Sequence, residues 1–228
     1  MLIISTKKLS LWKEKQILKG GDNQSLSLLI DLLGGLSNKE LNLLKIKSEK
    51  KVKLKINLDI LESFWDKHLD TCIPIQYLSG ISYWRDLKLE VSNKVLIPRI
   101  ETELVIEIIS ERFQNKEKKI TFVDLGTGSG AICIALALAN PNWNGKATDI
   151  DKNAIEIASR NFTRNSNQSN LEFYNGNWWD PLENFKGKID LAIANPPYIP
   201  QETYEELPLE VKNFEPKCAL LGGKDGLD

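Results

Sequence analysis

The stretch Asp124-Leu-Gly126-Thr-Gly128-Ser-Gly130 restricts the choice of fold more than any other part of the chain. Glycines at alternate positions let the backbone turn tightly and leave open space where side chains would stand. The residues before it, Ile120-Thr-Phe-Val-Asp124, read as a short buried strand. Those after it, Gly130 to Ala139, read as a helix with almost no polar face, and Asn140-Pro141 stops it. The alternation continues with a strand at Lys146 to Ile150, a helix at Lys152 to Phe162, a strand at Leu171 to Tyr174 and a fourth strand at Ile189 to Ala194. This order predicts an α/β fold with a parallel sheet, helices on its faces and ligands held beyond the carboxyl ends of the strands.

The glycine turn by itself admits two ligand classes. Gly126, Gly128 and Ala131 satisfy G-x-G-x-x-A, and Asp149 stands about where an acid would bind a dinucleotide ribose. Against nicotinamide or flavin stand Asp124 immediately before the turn and a third glycine opening the helix. With these, the loop resembles the D-x-G-x-G-x-G motif of class I methyltransferases. That resemblance implies a Rossmann-like sheet and S-adenosylmethionine as cofactor. Asp124, Gly126, Thr127, Gly128, Ser129 and Gly130 would hold its methionine end, and Asp149 its ribose diol. Asp151 competes for the ribose but stands where it can cap the next helix.

A second informative loop follows the fourth strand: Asn195-Pro196-Pro197-Tyr198. Two prolines cannot continue a sheet, because each lacks a donor and fixes φ. They make a rigid bend with free carbonyls. Asn195 adds a side-chain acceptor and Tyr198 a flat ring. Such a bend can grip a planar NH₂ group, with one hydrogen bond to Asn195, one to the Pro196 carbonyl and the ring packed over the plane. The plainer reading is a loop that merely stops a strand. An amide nitrogen is a poor nucleophile, so holding both of its protons orients it and pushes electron density onto it. Chemistry of this kind asks for alignment rather than for a metal or an imidazole. The single histidine, His68, and three scattered cysteines, Cys72, Cys133 and Cys218, indicate neither a zinc site nor a disulfide framework.

Residues 1–72 read as a small helical bundle. Leu9, Trp12, Ile17 and Leu18, then Leu26, Leu29, Ile30 and Leu33, recur at helical spacing, and Ser37 with Glu40 fits a capping box. His68 reads as a structural helix residue. Lysines crowd positions 45 to 55 and read as a solvated helix end and loop, with an RNA or ribosome contact as the other option. Residues 73–100 read as a linking β-hairpin, Ile81 to Val91 against Val95 to Ile97, with Ser92-Asn93 as its turn. Residues 101–228 form the cofactor-binding unit, opening on a helix at Glu101 to Phe113. The net charge of −1 gives no basic field for a nucleic-acid substrate. Neither a signal peptide nor an apolar run of about 20 residues is present, so the expected setting is cytoplasmic and off the membrane.

Asn-Pro-Pro-Tyr is shared by enzymes that methylate adenine N6, guanine N2 and glutamine N5. Further segments narrow this: Ile73-Pro-Ile-Gln-Tyr-Leu-Ser-Gly80, Val95-Leu-Ile-Pro-Arg-Ile-Glu-Thr-Glu103, Glu215-Pro216, and Leu220-Leu-Gly-Gly-Lys-Asp-Gly-Leu227. In this order, with both loops, they resemble the protein-(glutamine-N5) methyltransferases of peptide chain release factors, the HemK/PrmC family, from Ile73 onward. The resemblance implies that the substrate is the glutamine of a Gly-Gly-Gln tip, held by Asn195 to Tyr198. It implies that the segment from Pro98 and Arg99 to Glu103 walls the pocket, and that Asn195 and Trp178 also touch the cofactor. An indole such as Trp178 can pack on adenine, although Trp178 and Trp179 suit a core equally well. No metal is implied. Ile100 and Asn177 stand where the family usually has Pro and Asp. The family carries further strands beyond the segment that ends here at Asp228, so the expected sheet stops after its fourth strand, which becomes an edge. Other readings of the same loops are glutamine methylation of a ribosomal protein, N6-adenine methylation of nucleic acid, and an inactive truncated relative that still binds the cofactor.

Overall fold

A computed structural model describes residues 2–44, 51–115 and 117–227. The chain divides into two compact units, Met1–Gly80 and Ile81–Asp228.

The first unit is mostly helical. Its helices are α1 (Thr6–Lys19), α2 (Asn23–Leu29), α3 (Asn38–Leu44), α4 (Leu58–Thr71) and α5 (Ile75–Ser79); the first four start where side chains satisfy free amides, and α5 follows Pro74 without such a cap. Ser5, Asp22 and Asn57 accept from Lys8, Gln24 and Ile60 respectively. The Ser37–Glu40 capping box forms, Glu40 accepting the Ser37 amide at 2.8 Å. Leu26, Leu29, Ile30, Leu61 and Trp65 fill the core, and the Trp65 indole donates to the Gln16 carbonyl. His68 takes a structural place, its Nδ1 2.8 Å from the Ile73 carbonyl.

The wholly helical expectation needs one correction. Leu2–Ser5 (β1) and Lys51–Leu54 (β2) pair as a two-stranded antiparallel sheet. Val52 and Leu54 point into the core while Lys51 and Lys53 face solvent. The period-two pattern lay inside the lysine run, where charge hid it. Lys45, Lys47 and Lys50 of that run lie outside the described residues.

The second unit opens on a hairpin of β3 (Ile81–Trp84) and β4 (Leu87–Glu90). Its turn is Arg85-Asp86, with Arg85 at φ 50°, and not the expected Ser92-Asn93. Ser92 to Val95 forms a separate turn, and no strand covers Val95 to Ile97. Trp84, Leu87 and Leu89 enter the main core, so alternation within a ten-residue stretch supplied both strands.

Helix α6 (Glu103–Arg112) leads to a four-stranded sheet of β5 (Thr121–Leu125), β6 (Asn144–Asp149), β7 (Leu171–Asn175) and β8 (Leu191–Ala194), in the order β7-β6-β5-β8 and all parallel. Helices α7 (Ala131–Ala139) and α8 (Lys152–Asn165) make the crossovers, and α9 (Gln201–Glu205) and α10 (Leu209–Phe214) follow β8. Among the described residues β8 pairs only with β5 and so forms an edge. The nearly all-apolar α7 is sunk against the sheet with Ile134, Leu136 and Ala137 fully covered.

Asn161 of α8 joins the hairpin to the glycine turn. It is fully buried, accepts from the Glu90 amide at 2.6 Å, and donates to the carbonyls of Glu90 and Ser129 at 3.0 and 2.9 Å. Asn161→Ala would strand these backbone groups, so urea unfolding should show a loss of about 2–3 kcal/mol. A loss below about 0.5 kcal/mol would remove Asn161 from this bridging role.

Candidate functional site

The parallel register sets where the site lies. Leu125 is paired with Thr148 on one side and with Ala194 on the other. The next residue of each strand, Gly126, Asp149 and Asn195, therefore emerges at the same end of the sheet. There they line one cavity of about 400 Å³ together with Thr127, Gly128, Ser129, Trp178 and Pro197, a size suited to a small organic ligand.

The glycine turn is anchored from β6, because the amides of Gly126 and Thr127 both donate to the Thr148 carbonyl at 2.9 Å. Gly126, Gly128 and Gly130 all have positive φ, which favours glycine. A Cβ at Gly128 would meet nothing within 4 Å, so that backbone faces open space. Gly130 serves packing: a Cβ there would press on Ile134 at 2.9 Å and Ala158 at 3.1 Å, and it is absent from the cavity wall.

Asp124 lies beneath the turn rather than in the cavity wall. It is 1% exposed and accepts from the Thr127 hydroxyl at 2.7 Å, while Cys133 Sγ sits 3.1 Å from that hydroxyl. Its Oδ1 has no hydrogen-bond partner among the described residues. Burial pushes its carboxyl up to about 6 despite the Thr127 bond, and burial also pushes the Cys133 thiol up. Asp149 is held rigidly. Its two oxygens accept from the amides of Gly128 at 2.8 Å and Asp151 at 2.9 Å, and burial raises its carboxyl above the ordinary value. Asp151 lines the cavity too, yet its side chain caps α8 by accepting from the Asn153 amide at 2.8 Å.

Trp178 belongs to the cavity and not to a core. It is 38% exposed at φ 44°, with its ring 3.9 Å from where a Gly126 Cβ would stand; Trp179 is also exposed but does not line the cavity. Beyond β8, the Asn195 carboxamide and the Pro196 carbonyl make no hydrogen bond among the described residues. Tyr198 presents a ring that is 66% exposed. Pro196 and Tyr198 stand outside the cavity wall.

Of the segment from Pro98 to Glu103, Pro98, Arg99 and Thr102 line the cavity. Glu103 does not; it accepts from the Arg85 amide at 3.3 Å at the hairpin turn. Trp84, Lys94, Cys218 and Ala219 also line the wall without having been assigned to a site from the sequence, and Leu221 comes from the Leu220 to Leu227 segment. Cys218, Ala219 and Leu221 sit beside the Glu215-Pro216 and Gly-Gly pairs, the one signal that pointed to them.

The sheet order, the glycine turn and the acceptor loop define a class I methyltransferase fold. A family model described as "Methyltransferase small domain" matches residues 100–208. Similar proteins named release factor glutamine methyltransferase include that of Prochlorococcus marinus, 40% identical over 98% of this chain and 77% of that protein. That of Synechocystis sp. is 36% identical over 79% of this chain and 61% of its own length. That of Thermosynechococcus vestitus is 37% identical over 85% and 66%. The chain belongs to the release factor glutamine methyltransferase family, and it spans between 61% and 77% of the length of these three relatives.

Asp124 gives a pH test with a defined sign. Its value rises from 3.8 to about 6 on folding. Between those values the unfolded chain binds fewer protons than the folded one, so stability falls as pH rises, and the loss is complete above about 6. Asp124→Asn removes that slope. Denaturant unfolding should show the variant gaining on the parent by on the order of 2–3 kcal/mol from pH 4 to pH 7. A difference independent of pH would mean that Asp124 is not a buried, penalised carboxyl.

Proposed function

We propose that this chain transfers a methyl group from S-adenosylmethionine to the side-chain amide nitrogen of the glutamine in the Gly-Gly-Gln tip of peptide chain release factors, in the cytoplasm. The observation that carries this reading is the pair of free acceptors, the Asn195 carboxamide and the Pro196 carbonyl, beside a cavity walled by an open glycine turn.

The residues fit the cofactor. The backbone at Gly126 and Gly128 opens onto the cavity as a cradle that side chains there would obstruct, and Trp178 offers a face for the adenine. Asp149 is pinned by two amides, and each of its oxygens keeps a lone pair for a ribose hydroxyl. Asp124 supports the turn through Thr127, and Gly130 through its packing on α7 and α8. When bound, S-adenosylmethionine supplies a methyl carbon already activated by its positive sulfur.

The remaining work is alignment and polarisation, and it falls to the loop after β8. Asn195 and the Pro196 carbonyl each accept one N–H of the glutamine amide, which fixes the nitrogen and feeds density into it. Pro196 and Pro197 keep those acceptors from swinging, since their φ angles are locked. Tyr198 covers the amide plane from its exposed position. Orientation of two reactants is worth on the order of 7–11 kcal/mol of barrier. Acceptors that tighten as the nitrogen gains positive charge favour the transition state over the ground state. Arg99 stands in the wall of the same cavity, while Glu103 braces the hairpin turn at Arg85.

Labelled S-adenosylmethionine tests this reading directly. It would be supplied with a release factor, the same factor lacking its tip glutamine, a ribosomal protein mixture, or DNA. Label should enter the intact factor alone. Label in DNA or in a ribosomal protein would move the substrate elsewhere, and cofactor binding without any labelled product would mark the chain as inactive. Asn195→Ala should lower turnover by about 10²–10³-fold while shifting cofactor affinity by no more than about threefold. Equal losses in both would give Asn195 a structural role.

A further inference from the structure

The loop Asn195 to Tyr198 has no regular secondary structure, so something else must hold it still. Ile199 is bonded on both sides to a later segment. Its amide donates to the Leu220 carbonyl at 2.9 Å, and its carbonyl accepts from the Gly222 amide at 3.0 Å. The Gln201 amide donates to Gly223 at 2.9 Å. Two glycines permit this contact. A Cβ at Gly222 would lie 2.7 Å from the Pro197 carbonyl oxygen, and one at Gly226 would collide with the Tyr198 carbonyl oxygen.

The bracing segment is fastened at its other end by Glu215. That side chain is 2% exposed and accepts from Arg99 Nη2 at 2.6 Å, across 116 residues of sequence. Between Glu215 and the brace, a tight turn rests on bonds from Ala219 to Pro216 and from Leu221 to Lys217, both 2.9 Å. Arg99 is in turn held by the hairpin, its carbonyl accepting from the Trp84 indole at 2.8 Å.

Stability does not explain the Glu215 carboxylate. Beyond Arg99 only the backbone of Ile97 eases its charge, its Oε2 is buried without a hydrogen bond among the described residues, and burial raises its carboxyl above the ordinary value. A buried charge with one oxygen unsatisfied is costly, and an apolar residue of similar size is often neutral or better. Geometry does explain it, because the ion pair ties one cavity wall, Pro98 to Thr102, to the other, Cys218 to Leu221.

Building on the proposed methyl transfer, we infer that Glu215 and Arg99 are positioning residues: their ion pair sets the brace that holds the Asn195–Tyr198 acceptors against the cofactor side of the cavity.

Glu215→Leu tests this, because it removes the tie without adding a polar burden. Turnover on the release factor should fall by about 30–100-fold, the scale expected for misplacing a reacting group by roughly an ångström. S-adenosylhomocysteine affinity should stay within about threefold by calorimetry, since the turn anchored on Thr148 is untouched. Amide hydrogen exchange should quicken at Ile199 and Gly222 and stay unchanged at Gly126 and Thr127. Glu215→Gln, which can still accept from Arg99, should recover part of the turnover, and Arg99→Ala should repeat the Glu215→Leu pattern. Unchanged exchange at Ile199 and Gly222, or faster exchange at all four amides with cofactor affinity lost in step, would overturn the inference. If the exchange pattern holds but the parent protein labels no release factor, the brace stands and the substrate reading falls.

Discussion

The parallel pairing of β5 with both β6 and β8 is the constraint on which the site rests. Leu125 sits opposite Thr148 on one side and Ala194 on the other, so three chain segments leave the sheet level with one another. A register slip in β8 would carry Asn195 away from the glycine turn and reverse the faces of its strand. The apolar α7 and the covered residues Phe122 and Val123 make such a slip expensive, because strand and helix faces would both be mismatched. The core thus enforces the geometry that the chemistry needs.

Above that frame, backbone groups do most of the holding and side chains fix the backbone. Asp149 is pinned by two amides, the turn by the Thr148 carbonyl, and the acceptor loop by its pairing with residues 220–223. Asp124, Asn161 and Glu215 are polar groups buried at a cost, and each steadies one side of the cavity. Polar burial of this kind is poor economy for stability alone. It suits the proposed methyl transfer, whose rate depends on aligning nitrogen, carbon and sulfur.

Much of this was legible in the chain of residues. The alternation of strand and helix after Ile120, the buried character of α7, the Ser37 capping box and the Asp151 cap all follow from local patterns, and all are observed. Local chemistry was a poorer guide where another signal masked it. Strand β2 hid in a lysine run, its own Lys51 and Lys53 facing solvent. The hairpin turn falls on Arg85-Asp86, where a left-handed arginine offers no turn signature, while Ser92-Asn93 offers one and makes a different turn. Glu103 and Arg99 are four residues apart, yet only Arg99 reaches the cavity, because the helix that starts at Glu103 carries its side chain toward Arg85. The tie between Arg99 and Glu215 spans most of the second unit and depends on tertiary structure alone.

The central claim is that two acceptors beyond β8 hold a planar amide beside the cofactor cradle. A crystal structure with S-adenosylhomocysteine and a Gly-Gly-Gln peptide tests it most directly. The account places the glutamine side-chain nitrogen within about 3 Å of both the Asn195 carboxamide oxygen and the Pro196 carbonyl, facing the sulfur. A glutamine bound away from both acceptors, with the cofactor product still in the glycine cradle, would contradict it.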